Sequence, residues 1–168
     1  MALKNLSRSI EGCVAVITGA GSGMGAATAK LFAEEGATVA LIDLNEPGVL
    51  KVEKEIIDAG KLGSAWIADL GSKREIGETI SAVAEKYNGI DLLINNAGIM
   101  RKNSLDDLNY DQIREQFEVN AIGPLRVVAT LKANLKEGSK VGLVTSRMGS
   151  IADNDSGGSY GYRMSKTA

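Results

Sequence analysis

The sequence contains no histidine, and that absence removes Ser-His-Asp and Cys-His nucleophilic catalysis, imidazole-ligated zinc and a histidine general base together. Cysteine is confined to Cys13, so no intrachain disulfide or thiolate metal cluster can form and no metal site is expected. The place of Cys13 in the apolar run CVAVIT suits a buried, inert thiol. Aromatic residues make up only 4% and the cations are dispersed in a chain of net charge −2, leaving neither a stacking platform nor a basic stripe for nucleic acid. The first residues, MALKNLSRSIEG, lack the apolar core of a signal peptide, and no run approaches the ~20 residues that span a bilayer. The expectation is a cytoplasmic protein without a membrane partner, whose chemistry falls to Ser, Tyr, Lys, Asp, Glu or the backbone.

Proline is equally scarce, at 2 residues, beside 20 glycines in no collagen-like or low-complexity pattern. Glycine in that amount fits the many tight strand-to-helix turns of an alternating fold. A chain of 168 residues suits one domain that removes roughly 70% of its unfolded surface from water, with no room for a second. Apolar periodicity alternates throughout. Strands are expected at 13–18, 38–43, 64–68, 91–94 and 140–145. The intervening helices are expected at 23–35, with Leu31 and Phe32 inward, at 47–59 with Pro47 in its first turn, and at 72–87. The third of these opens on a capping box of Ser72 and Glu75. Residues 105–135 read as one long helix capped by Asp106 or Asp107 and kinked by Pro124. A polar, glycine-rich loop at 149–159 precedes a last helix from Tyr160. The pattern predicts α/β architecture, a doubly wound parallel sheet of Rossmann-like type, incomplete at the C-terminus.

The first strand runs into Thr18-Gly19-Ala20-Gly21-Ser22-Gly23-Met24-Gly25, and the first helix follows. Glycines there let a pyrophosphate approach main-chain N–H groups at a helix N-terminus, and no Gly-Lys-Ser/Thr ending marks an NTP-hydrolysing loop. Asp43 closes the second strand, where a carboxylate can accept the ribose hydroxyls of NAD and would repel a 2′-phosphate. Neither Ser22 nor Leu44 supplies a compensating positive charge, so NAD is expected ahead of NADP.

The spacing TGxxxGxG, carried by Thr18, Gly19, Gly23 and Gly25, resembles that of the short-chain dehydrogenases/reductases, and further motifs follow in that family's order. Asp69-Leu70 stands at the family's adenine-contacting acid, Asn95-Asn96-Ala97-Gly98 is its NNAG, Asn120 lies in the long helix, Ser146 follows the fifth strand, and Tyr162 to Lys166 is YxxxK. Residues 117–166 are similar to the C-factor and sniffer-type carbonyl reductases, where a longer loop separates serine from tyrosine. The resemblance implies an NAD(P)-dependent oxidoreductase moving hydride between nicotinamide and an alcohol or carbonyl substrate. Its implied catalytic residues are Asn120, Ser146, Tyr162 and Lys166. The cofactor would meet Gly19, Gly21, Ser22, Gly23, Met24, Gly25, Asp43, Leu44, Asp69, Leu70, Asn95, Ala97 and Gly98, with Tyr162 and Lys166 at its nicotinamide end.

A phenol of pKa ~10 is a poor base at neutral pH, and a lysine four residues later on one helical face favours its ionised form. Tyr162 has such a lysine and Tyr160 does not; Ser146 sits at a strand end and Ser150 does not. Ser146 would donate to the substrate oxygen, Lys166 would also hold the nicotinamide ribose, and Asn120 would hold a water on the proton path. Relatives of this kind continue with further strands and a substrate-covering segment. Residues 1–168 are therefore expected to be a single NAD(P)-binding domain lacking both, with Tyr162 and Lys166 poorly held on a short helix. Such a chain would bind NAD weakly, turn over little substrate and show an open apolar edge on its fifth strand. A homo-oligomer is possible at full length. Two other readings stay open: a truncated, non-catalytic nucleotide-binding or interaction protein, and a methyltransferase using S-adenosylmethionine, against which NNAG, the serine and YxxxK all speak.

Overall fold

The computed structural model describes residues 9–152 and 154–168. Among these residues five strands are present, β1 (Val14–Thr18), β2 (Thr38–Asp43), β3 (Gly63–Ile67), β4 (Ile90–Asn95) and β5 (Leu135–Leu143), all parallel in the order β3-β2-β1-β4-β5. The helices α1 (Gly23–Glu34), α2 (Glu46–Asp58) and α3 (Lys73–Tyr87) follow β1, β2 and β3 in turn. This is the doubly wound sheet that the alternating pattern predicts.

Alternation along the central strands divides the apolar side chains between two faces. Ala15, Ile17, Val39 and Leu41 join α1 and α2 residues such as Ala29, Ala33, Val49 and Val52 in one core. Val16, Ala40, Ile42 and Leu93 join Ile76, Ile80 and Val83 of α3 in the other. Helix α1 turns its small residues inward, so Leu31 is exposed, against expectation, while Phe32 packs on the core edge. Ile57 of α2 is also exposed, because Val49, Val52 and Ile56 fill its inner stripe. Cys13 precedes β1 and is half-buried as a free thiol. The capping box at α3 is divided. Ser72 Oγ accepts from Glu75 N at 3.3 Å, but the Glu75 carboxylate accepts from Asp69 N at 2.9 Å and so ties the helix to the turn after β3.

The long helical stretch starts later than expected. Asn109, not an aspartate, caps α4 (Tyr110–Phe117), its side chain accepting from Asp111 N and Gln112 N, while Ser104 and Asp107 close a small bridge upstream. The irregularity expected at Pro124 is a π-helical turn over Glu118–Ile122, closed by Gly123 N donating to Glu118 O, and α5 (Gly123–Leu131) resumes with Pro124 in its first turn. Proline has no N–H for a regular bond there, and the widened turn sits immediately before it.

β5 begins five residues earlier than its apolar pattern indicates. Leu135 pairs with Ile90 and Lys140 with Leu92, leaving the polar residues 136–139 in a register shift that carries no alternation to read. Lys136 Nζ meets Asp91 Oδ2 at 2.8 Å, and the same oxygen accepts from Val14 N, so one carboxylate joins β4 to β1 and β5. β5 stands at the edge of the sheet with Val141 and Leu143 exposed.

Helix α6 (Tyr160–Thr167) has two turns, yet tertiary bonds hold it where its own length would not. Tyr160 N donates to Asn103 Oδ1 at 2.8 Å, Thr145 Oγ1 to Lys166 O at 3.0 Å, and Thr167 Oγ1 to Gly149 O at 2.9 Å. Gly161 lies so close to α4 that a Cβ there would meet Gln116 Nε2 at 2.7 Å. Arg163 is buried, and its guanidinium donates to Gly158 O, Met148 O, Gly157 O and Ser156 Oγ. One side chain thus gathers both ends of the loop between Ser146 and Tyr162.

Two expectations follow. Gly25 is packed under the Gly19 carbonyl, with Asn96 Nδ2 2.6 Å from where a Cβ would sit, so Gly25→Ala is expected to lose about 1–3 kcal/mol, read as a lower urea midpoint. Arg163→Met keeps the stem and removes four charge-assisted donations, costing about 2 kcal/mol and speeding amide exchange across 149–159 with β1 and β4 unchanged. Unaltered exchange in the loop would show that Arg163 does not hold it.

Candidate cofactor cleft and active site

Parallel strands present their carboxyl ends along one side of the sheet, and a cleft of about 650 Å³ opens there, where β1 lies between β2 and β4. The turn after β1 contributes Gly19, Ser22, Gly23 and Met24; β2 contributes Asp43 and Leu44; the segment after β3 gives Asp69 and Leu70; the segment after β4 gives Ala97 and Gly98. Ten of the residues expected to meet a cofactor therefore share one wall.

The turn owes its shape to the chain beneath it. Gly19 adopts φ +66°, a left-handed conformation open to glycine, and a Cβ there would meet Ala97 Cα at 2.8 Å. Thr18 Oγ1 accepts from Asn96 N and Ala97 N at 3.1 Å each, and Asn96 Nδ2 donates to Thr18 O at 3.0 Å and Gly19 O at 3.2 Å. Asn96 is the residue that motif reading passed over. Within NNAG, Asn96 lines the cleft and fastens the glycine turn to β4, whereas Asn95 is buried with both side-chain polar atoms lacking a partner among the described residues and takes no part in the lining. Gly21 and Gly25 likewise stand behind the wall, Gly21 N donating to Asp43 Oδ2 at 2.8 Å and Gly25 lying beneath the Gly19 carbonyl.

Asp43 is the acid at the far end. Its two oxygens each accept one backbone N–H, from Gly21 and from Asn45 at 2.9 Å, which fixes the carboxylate and leaves a lone pair on each oxygen for a diol. Asp69 is fixed in the same manner, with Oδ1 accepting from Gly71 N at 2.8 Å. Arg101, Glu115 and Glu118 also border the cleft; the Arg101 guanidinium is paired with the Glu115 carboxylate at 3.1 Å and 3.3 Å.

At the opposite end the π-helical turn directs Asn120 inward. Its Oδ1 accepts from Ile99 N at 2.8 Å, and its Nδ2 donates to Ile99 O and to Ser165 Oγ, both at 2.9 Å. Both amide hydrogens are used, so a water could reach this side chain only through the second Oδ1 lone pair. Lys166 Nζ donates to Val144 O at 3.1 Å and lies 3.2 Å from where a Gly98 Cβ would be, the same separation as Asn120 Oδ1. Gly98 is thus the point at which the cleft, Asn120 and the lysine converge. Burial pushes the Lys166 ammonium below the usual lysine range.

Ser146 caps a short 3₁₀ turn (Arg147–Gly149), its Oγ accepting from Met148 N at 3.1 Å and its proton uncommitted among the described residues. Bonds from Thr145 to Lys166 and from Thr167 to Gly149 seat that turn against the end of α6. Tyr162 is half-buried one helical turn before Lys166, and its hydroxyl makes no hydrogen bond among the described residues. No group of three or more metal-binding side chains occurs among the described residues, and none of their helices is long and apolar enough to cross a membrane.

Comparison with known proteins bears on the family and the fold. A 1-hydroxy-2-glutathionyl-2-methyl-3-butene dehydrogenase of Rhodococcus sp. (strain AD45) is 40% identical over 118 residues, 67% of this chain and 52% of that protein. The C-signal protein of Myxococcus xanthus is 48% identical over 82 residues, 47% of this chain and 49% of that protein. A short chain dehydrogenase from Burkholderia cenocepacia J2315, solved in complex with NADP, superposes with a TM-score of 0.89 at 32% identity, covering 95% of this chain and 65% of that one. The chain spans about half the length of the two curated relatives. Residues 13–168 match the family model described as short chain dehydrogenase, and the chain belongs to that family.

Proposed function

We propose that the chain is the cofactor-binding portion of a nicotinamide-dependent oxidoreductase that interconverts an alcohol and a carbonyl compound. The observation that carries this reading is the single wall running from a fixed carboxylate, Asp43, to the place where Asn120 and Lys166 meet over Gly98. A cleft of this volume suits an extended small molecule. Gly23, at φ +52° with open space where a Cβ would stand, gives the α1 N-terminus unobstructed access to a phosphate. The related structures that hold a nicotinamide dinucleotide support the same occupant.

Bound in this cleft, nicotinamide would supply or accept the hydride. The side chains manage the proton and the position of the reactants. Lys166 would hold the neighbouring ribose, and its charge one helical turn from Tyr162 stabilises negative charge on the ring oxygen as the proton passes between that oxygen and the substrate. Ser146, whose oxygen accepts from Met148 N, would donate a hydrogen bond from its hydroxyl to the substrate oxygen. Asn120, with both amide hydrogens engaged by Ile99 and Ser165, holds the floor of the site and keeps one acceptor lone pair for a water.

Holding an ammonium at Lys166 opposes folding. A lysine whose folded pKa lies below its unfolded value binds its proton less tightly when folded, so stability rises with pH between the folded value and the unfolded 10.5. The wild-type urea midpoint is therefore expected to rise relative to Lys166→Met as pH climbs from 7 toward 10; a constant difference would contradict burial as the cause.

Asp43 favours NAD over NADP. NADH is expected to bind at least about tenfold more tightly than NADPH, a difference near 1.4 kcal/mol, with Asp43→Ser bringing the two within about threefold. Tighter binding of NADPH would defeat this assignment. In a chain extended to the length of its relatives, Tyr162→Phe should lower turnover of secondary alcohols by about 10²- to 10⁴-fold while NADH affinity holds. Undiminished turnover would remove Tyr162 from the chemistry.

A further inference from the structure

The π-helical turn has a second consequence, at the other end of the cleft from Asn120. Beyond the turn, Gly123 is packed so closely on the segment after β3 that a Cβ would meet Leu70 O at 2.7 Å. One turn later Arg126 Nη1 donates to Gly71 O at 3.4 Å and to Glu118 Oε2 at 2.6 Å. Glu118 and Gly71 both border the cleft, and Gly71 N is the donor that fixes Asp69 Oδ1. From inside the helix, then, one guanidinium grips the turn bearing Asp69 and Leu70 and holds a carboxylate that faces the same space.

We propose that Arg126 is a positioning residue for the adenine half of the cofactor cleft, setting the Asp69-Leu70-Gly71 turn from behind and neutralising Glu118 beside it. The ligand half of this proposal rests on the cofactor reading above. Two physical effects run in the same direction. Loss of the Gly71 O contact leaves Gly71 on a turn held by its own short bonds, by the Glu75 carboxylate at Asp69 N and by the packing of Gly123 against Leu70 O. Loss of the cation leaves Glu118 unpaired in a wall that already presents Asp43, Asp69 and Glu115, with Arg101 pledged to Glu115, and an anionic ligand then meets greater repulsion.

The test separates turn from ligand and adenine from nicotinamide. Arg126→Met preserves the aliphatic stem, and Arg126→Lys keeps the charge with a single donor group in case the methionine variant folds poorly. In the ligand-free chain, amide exchange at Gly71 and Ser72 should accelerate about tenfold in Arg126→Met, with β1 and β4 unchanged, and less in Arg126→Lys. By calorimetry, AMP should bind Arg126→Met about five- to tenfold more weakly, while reduced nicotinamide mononucleotide stays within about twofold. Unchanged exchange at Gly71, or equal losses for the two mononucleotides, would overturn the proposal. A wild-type chain that binds neither, with exchange at Gly71 still responding to Arg126, would overturn the cofactor reading and its ligand half while supporting the restraint on the turn.

Discussion

The structure depends most on the seam between the carboxyl ends of β1 and β4. A parallel sheet brings these ends side by side but leaves their last N–H and C=O groups without strand partners, and buried groups of that kind must be satisfied. Thr18 and Asn96 satisfy one another across the seam, hydroxyl to main-chain N–H in one direction and amide to carbonyl in the other. The glycine turn can remain free of regular structure because its entry is fastened there. Gly19 and Gly25 are then obligatory in a plain steric sense: the seam pulls backbone against backbone, and no side chain fits between.

From that seam the cleft is organised by groups that hold one another before any ligand arrives. Asp43 is aimed by two backbone donors, Asp69 by one, and Asn120 by three contacts on Ile99 and Ser165. Preorganisation of this type lowers the ordering cost of binding. It also gives the π-helical turn its meaning. One inserted residue in the helix lets Asn120 face Ile99 while Gly123 and Arg126 face Leu70 and Gly71, so that both halves of the cleft take their positions from a single widened turn.

The parts legible in the sequence were those with local physical signatures. Strand and helix alternation, the glycine turn and the acid ending β2 were readable because period, turn chemistry and charge sit within a few residues of each other. The start of β5 was not, since residues 136–139 take part through a register shift against Ile90 and Asp91, which is a tertiary fact with no apolar pattern. Asn109 outranked Asp106 and Asp107 as a cap because the chain before it bends into the Ser104–Asp107 bridge. The NNAG segment does border the cleft, but only the pleat decides that Asn95 turns inward and Asn96 to the cleft. The firmness of α6 was equally hidden: a two-turn helix looks frail until Asn103 and Thr145 are seen to reach it from afar in the sequence and its own Arg163 to grip the loop before it.

Arg163 carries a consequence for how such a site can diversify. Three of its acceptors are main-chain carbonyls, at Met148, Gly157 and Gly158, and a carbonyl is common to every residue type. The anchorage passes through peptide groups and Ser156, so the exposed side chains of Ile151, Asn154 and Asp155 take no part in those bonds. Substitution at those three positions leaves the bonds of Arg163 in place, so the outer surface of the loop can change while α6 keeps its anchorage.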